Sequence, residues 1–191
     1  MVITSLPYPD FTHSAQCLDS RRLLKQIVEA KQILAVISGE KQAWRNHPAT
    51  KMWQGYPHTL QRYINAMILE AKARELNTSA QVIPTDDEPI PSWFGVDSLH
   101  KSHQSALMRK APHQYSFPLE EEYLALGYVW PSDFPDRDIR KLSPHQACRP
   151  ISDRQRNMKH CQALLKSGKR KDLPCNNGVY DGGDYCRTHR R

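Results

Sequence analysis

No apolar run in the 191 residues approaches the roughly 20 that a membrane span requires, so no membrane partner is expected. The opening residues, MVITSLPYPDF, lack the charged start and apolar block of a secretory signal. The expectation is therefore a protein that is not secreted and that works in the cytoplasm or with the nucleoid or nucleus. There is no internal repeat and no long low-complexity tract, and before residue 137 no convincing pair of strands. Disorder is excluded as well, since 39% of the residues are hydrophobic and four Trp and eight Tyr are present. The length suffices for one domain with a real core and a smaller appendage. Five cysteines without a secretory signal read as candidate metal ligands before they read as disulfides.

Charge is unevenly distributed. Residues 137–191 carry 14 Lys/Arg against 5 Asp/Glu, a net +9, whereas residues 1–136 carry 13 against 15, a net −2. A basic excess confined to one end is the pattern of an appended nucleic-acid contact; the plainer alternative is a solubilising tail.

Spacing predicts three long helices. The first starts at Asp19 or Ser20, both good N-caps, stops near Gly39, and buries Leu23, Ile27, Ala30, Leu34 and Ile37, a stripe widened by Leu24 and Val28. A short one runs from Pro48 to Gln54, and a second long one from His58 to Glu75. The third runs from Asp97, as its cap, to Lys110. Residues 77–95, with Pro84, Pro89, Pro91 and three successive acids, read as a loop long enough to be functional. The expected class is mainly α, in three parts: a helical domain over 1–136, a basic linker over 137–160 and a small module over 161–191.

That module is poor in large apolar residues and cannot easily fold on burial alone. Cys161, Cys175, Cys186 and His189 give C-x13-C-x10-C-x2-H. A tetrahedral structural Zn²⁺ on three thiolates and one imidazole would supply the missing free energy; Cys148 and His160 are possible substitutes as ligands. The stretch resembles a small zinc-binding module of the pattern C-x-A-x-x-K-x-G, then C, then YC-x-x-H. Cys161, Ala163, Lys166, Gly168, Cys175, Tyr185, Cys186 and His189 match it.

On the first helix, Arg22, Lys25, Glu29 and Gln32 fall three or four residues apart beside the greasy stripe. As a bare pattern, Lys25 and Glu29 are an i,i+4 surface pair worth at most about 0.5 kcal/mol. Together, however, "LPYPDF", "LDSRRLLKQIVEA", "WRNHP" and "SHQSALMRKAPHQY" resemble the pyrimidine-dimer DNA glycosylase/AP-lyase family, the dimer-specific endonuclease V type, in a divergent branch. The resemblance covers roughly residues 1–131. It implies a compact three-helix domain with the amino terminus threaded between the helices. It also implies base excision by an amine nucleophile with an essential helix-borne glutamate, here Glu29. An α-amine, with a pKa of roughly 8, is partly neutral near physiological pH. If Met1 is removed, the Val2 nitrogen is the first candidate nucleophile; Lys25 is the second. The family's arginines flanking the glutamate are Val28 and Gln32 here, so the resemblance carries the chemistry and not the choice of lesion.

Candidate nucleic-acid contacts are Arg21 and Arg22 on the first helix, then Asn46, His47 and Lys51 around a helix start that could meet a phosphate. Trp53 and Tyr56 could stack on an extruded base, or simply be buried aromatics. His103, Arg109 and Lys110 lie on the third helix, with Tyr115 after it. The expected partner is DNA, with RNA open. The expected function is a DNA glycosylase with associated AP lyase; the alternative is a non-catalytic nucleic-acid-binding protein on the same fold.

Overall fold

A computed structural model describes residues 3–124, 126–151, 159–166, 175, 178–179, 184–186 and 188–189. Its elements, in chain order, are α1 (Phe11–Cys17), α2 (Ser20–Ile37), α3 (Pro48–Lys51), α4 (Pro57–Ala73), α5 (Asp97–Lys110), α6 (Glu121–Leu124), β1 (Leu126–Val129), α7 (Pro144–Ala147), β2 (Cys148–Pro150), β3 (Lys159–His160) and β4 (Gly178–Val179). The fold is mainly α, as the periodicity predicts.

α2 begins where its cap dictates. The Asp19 carboxylate accepts from the Arg22 N–H at 3.1 Å, which satisfies one of the free donors of the first turn. Its apolar stripe, Leu23, Ile27, Ala30 and Ile33, packs on Leu60, Ile64, Met67 and Ile68 of α4 in the main core. Leu24, Leu34 and Ile37, assigned to that stripe from spacing, lie at its half-buried margin, and Val28 faces outward, 56% exposed.

Through this helical pair runs the amino-terminal segment. Ile3, Thr4, Ser5 and Leu6 are buried, and their backbone groups are held by side chains instead of by a sheet. Ser5 N–H donates to Gln26 Oε1 at 2.7 Å, and the Tyr63 hydroxyl donates to the same oxygen at 2.8 Å while lying 3.1 Å from the Ser5 carbonyl. The Leu6 carbonyl accepts from His100 Nδ1 at 2.8 Å, the Pro7 carbonyl from Gln104 Nε2 at 2.8 Å, and Thr4 Oγ1 from Trp53 Nε1 at 3.0 Å. Buried backbone polar groups have to be paired, and α2, α4 and α5 each supply partners. Residues 3–7 are therefore threaded between the helices, as the resemblance implies for the amino-terminal segment.

Several sequence expectations need correction. α1 was not expected; Asp10 caps it through a 2.6 Å bond from His13 N–H. Asp97 is the first residue of α5 and not its cap; Val96 holds the cap position, and the Asp97 carboxylate pairs with Lys101 at 2.8 Å. The short helix ends at Lys51 and not at Gln54, and the His47 side chain caps it. β1 and β2 form an antiparallel pair that alternation did not reveal, since β1 is short and nearly all buried. Within the stretch read as linker, β2 joins that pair, and Ile139, Ala147 and Cys148 enter the main core. A Pro-broken stretch with only short turns and a short strand thus supplies core side chains that a helical period cannot register.

Candidate active site

Glu29 stands on the inner side of α2 and is 7% exposed. One oxygen takes an ion pair from Lys25 Nζ at 3.3 Å, one turn earlier; the other lies 3.5 Å from Gln26 Nε2. Gln26 is thus a hub. Its oxygen holds Ser5 and Tyr63, and its amide faces Glu29. The same side chain that clamps Ser5 faces the carboxylate, so the acid and the amino-terminal segment at Ser5 are tied to one residue. The Lys25 side chain is 60% exposed, outside the dry surroundings on which a lysine nucleophile relies. Val2 lies outside the described residues.

His47 feels the charge of the carboxylate. Burial lowers its pKa, as do the positive charges of the chain's amino end and of Arg149, while the negative charge of Glu29 raises it. One imidazole therefore senses the acid, an arginine and the amino end together. Its ring stands edge-on to Trp130, with centroids 6.0 Å apart, and Nδ1 accepts from Ala49 N–H at 3.2 Å. That bond assigns the Nε2–H tautomer of the neutral ring. Asn46 and Lys51 are exposed on either side of it.

The remaining candidates fall into two groups. Arg21 is exposed, and Lys110 reaches the Tyr128 hydroxyl at 2.8 Å from an exposed position. Arg109 is half-buried, bonded to the Leu124 carbonyl at 3.1 Å and to the Ser105 hydroxyl. Arg22 pairs with Asp19 at 2.6 Å and lies over the Tyr115 ring at 5.4 Å; the Tyr115 hydroxyl also donates to Asp19 at 2.6 Å. Burial pushes the Asp19 carboxyl up, and the bonds from Tyr115 and Arg22 more than offset it, leaving the group below its ordinary value. Trp53, His103 and Tyr115 are all buried, so as they stand they present no face to a nucleic acid. Trp53 lies wholly in the aromatic core against Trp93, with centroids 5.0 Å apart. Tyr56 is half-buried at the margin of the same core.

Sequence reasoning missed Gln26, Trp130 and Arg149. Gln26 had a signal, the i,i+3 spacing within KQIVE. The other two had none, because the turn after β1 and strand β2 bring them to His47 from more than 80 residues away.

In the tail, the donor atoms of Cys161, Cys175, Cys186 and His189 lie within 4.8 Å of one another, a group able to hold a metal ion. The Cys175 and Cys186 sulfurs are 3.8 Å apart, and His189 Nδ1 lies 3.4 Å from Cys161 Sγ and 3.3 Å from Cys186 Sγ. A tetrahedron with metal–sulfur bonds of about 2.3 Å and metal–nitrogen bonds of about 2.0 Å has edges of roughly 3.5–3.8 Å, close to these spacings. β3 and β4 pair antiparallel beside it, with Val179 buried among the cysteines. Cys148 belongs to the main core, where burial pushes its thiol up to about 12, and it is not in this group.

No helix among the described residues is long and apolar enough to cross a membrane. Comparison with curated proteins and with solved structures gave no match. Residues 1–84, which contain Glu29, Lys25, Gln26, His47 and the buried amino-terminal segment, match the family model described as pyrimidine dimer DNA glycosylase.

Proposed function

We propose that this chain is a DNA glycosylase with associated AP-lyase activity, acting on a damaged or modified base by way of an amine nucleophile and Glu29. The observation that carries the reading is the Gln26 hub, which ties a buried carboxylate to the segment leading from the amino end.

The chemistry needs few groups. The lone pair of a neutral amine attacks the sugar C1′. The glycosidic bond breaks, and the base departs with the bonding pair and takes up a proton. Ring opening leaves an iminium at C1′. Loss of a C2′ proton then expels the 3′ phosphate, and water hydrolyses the imine to return the amine. A carboxylate beside the iminium stabilises its charge, and it can carry the protons of ring opening and elimination. Glu29 has this role in the proposal, and Val2 after Met1 removal supplies the amine. Lys25, which neutralises the carboxylate from solvent, is the second candidate.

His47, Asn46 and Lys51 at the start of α3, with Arg21 and Lys110, are proposed as phosphate and sugar contacts. Zn²⁺ is the proposed ion of the Cys161, Cys175, Cys186 and His189 group. All four positions are taken by protein donors, leaving none for water, so the role is structural. The basic residues around it would add salt-sensitive, sequence-neutral affinity for DNA.

The test is product analysis on duplexes carrying a panel of lesions and natural base modifications. Wild-type protein is expected to release one class of base and nick the strand, and Glu29→Gln to lose about 10²–10⁴-fold in rate while still binding. Retention of DNA with no base released from any duplex would favour the non-catalytic reading instead.

A further inference from the structure

The loop from α2 to α3 holds a side chain that neither the core nor the chemistry above accounts for. Trp44 is 50% exposed, and its backbone sits at φ 65°. Gly39, at the end of α2, takes a similar conformation at φ 82° without steric cost. For a bulky side chain the left-handed region is a true outlier. Trp44 therefore carries two costs at once, backbone strain and an indole left in water. Outliers of this kind persist where the position of the side chain is used.

Its surroundings indicate the use. The indole stands edge-on to His47, with centroids 5.9 Å apart and planes at 84°, and the Trp44 carbonyl accepts from His47 N–H at 2.9 Å, closing the turn that fixes the ring. His47 in turn stands edge-on to Trp130. Trp44 is thus the exposed end of a row of rings, Trp44, His47 and Trp130, whose middle member feels the charge of Glu29. Its exposed neighbours in the loop are Glu40, Lys41, Gln42, Ala43, Arg45 and Asn46, with no other large apolar side chain among them, so it is a single flat ring with two cations nearby and not part of an apolar patch. Trp53, the tryptophan that spacing marked for stacking, is wholly buried and leaves that role open.

We propose that Trp44 is a stacking residue for a nucleobase of the bound DNA, positioned at the rim of the Glu29 site against the base beside the one removed. Every base offers a π-face, so such a contact is sequence-tolerant. It would hold the strand open beside the reacting sugar and would leave recognition of the lesion to other groups. The proposal rests on the base-excision reading for its location and on the exposed, strained indole for its chemistry.

The experiment uses the full-length, metal-loaded protein and duplex DNA carrying a non-reactive tetrahydrofuran abasic analogue next to 2-aminopurine. Wild-type protein is expected to bind this duplex and change the aminopurine fluorescence. Trp44→Ala and Trp44→Asn should lose about 5- to 100-fold in affinity, along with the fluorescence change, whereas Trp44→Phe should keep most of both. The melting midpoint of Trp44→Asn should be no lower than that of wild type, because asparagine tolerates a positive φ. A Trp44→Ala protein within two-fold of wild type in affinity and with the same fluorescence response overturns the proposal. So does a Trp44→Asn protein whose affinity falls only along with its stability, and so does a wild type that holds neither damaged nor intact duplex. Because the analogue cannot react, a wild type that binds it through Trp44 but releases no base from any lesion would refute the base-excision reading alone.

Discussion

Gln26 is the residue on which fold and proposed chemistry meet. Replacing it by Leu leaves Ser5 N–H without its buried acceptor, a loss of about 1–3 kcal/mol, readable as a lower midpoint in urea. The same change frees the Glu29 carboxylate, so turnover should fall further than the lost stability explains. The buried histidines make a separate prediction. Burial lowers the pKa of His100 and takes that of His103 well below its ordinary value; His103 Nε2 has no hydrogen-bond partner, and His100 Nε2 accepts from Gly95 N–H at 3.1 Å. Both rings are thus held neutral. In the unfolded chain they take up protons at about pH 6.5. Their contribution to stability is therefore complete above that pH and is lost as pH falls below it toward the folded values. Melting midpoints should drop between about pH 6.5 and pH 5, and His103→Leu should make the drop shallower. An unchanged slope in that variant would show that His103 is not the group responsible.

At the scale of elements, one strap covers α4 and a second carries a charge that reaches the site. The loop after α4 is tied down by Asn65, whose amide donates to the Ile83 carbonyl and accepts from the Ile83 N–H, each at 2.8 Å, and by Glu88, which accepts from Thr59 N–H at 2.7 Å. Its length suggested a functional loop; these bonds give it a structural task in covering α4. The second strap is the β1–β2 pair. A Cβ at Gly127 would collide with the backbone of Arg149, so Gly127→Ala must push β2 away from β1. Because β2 carries Arg149, whose charge reaches His47, that variant should be destabilised by about 1–3 kcal/mol and should raise the His47 pKa, measurable by NMR titration.

The long helices were legible because each buries one face, and the 3.6-residue period records that face directly. α1 is only seven residues long, and β1 is buried on most of its length, so neither leaves a period to read. Glu29 was legible as an acid beside a greasy stripe, with its weight coming from the resemblance. Its burial, however, depends on the amino-terminal segment lying over Gln26, a contact 21 residues away in sequence that no local pattern encodes.

For the whole molecule, the account divides labour between a helical part with the reactive groups and a basic tail held by a metal. The Cys161, Cys175, Cys186 and His189 group should bind about one zinc per chain, and elemental analysis of Cys186→Ser should show the metal lost. The tail's contribution to DNA binding should appear in salt. Each phosphate contact adds about 0.9 to the slope of log affinity against log salt, so glutamine at Lys169, Arg170 and Lys171 should reduce that slope by up to about 3. The central claim is that an amine near Glu29 forms a covalent link to the sugar. Its most direct test is borohydride trapping with abasic-site DNA, followed by mass spectrometry of the linked peptide, on protein whose amino terminus has been sequenced. The account predicts a reduced adduct on the amino-terminal peptide, strongly diminished in Glu29→Gln. Correctly processed, metal-loaded protein that gives no adduct, or an adduct that ignores Glu29, would contradict it.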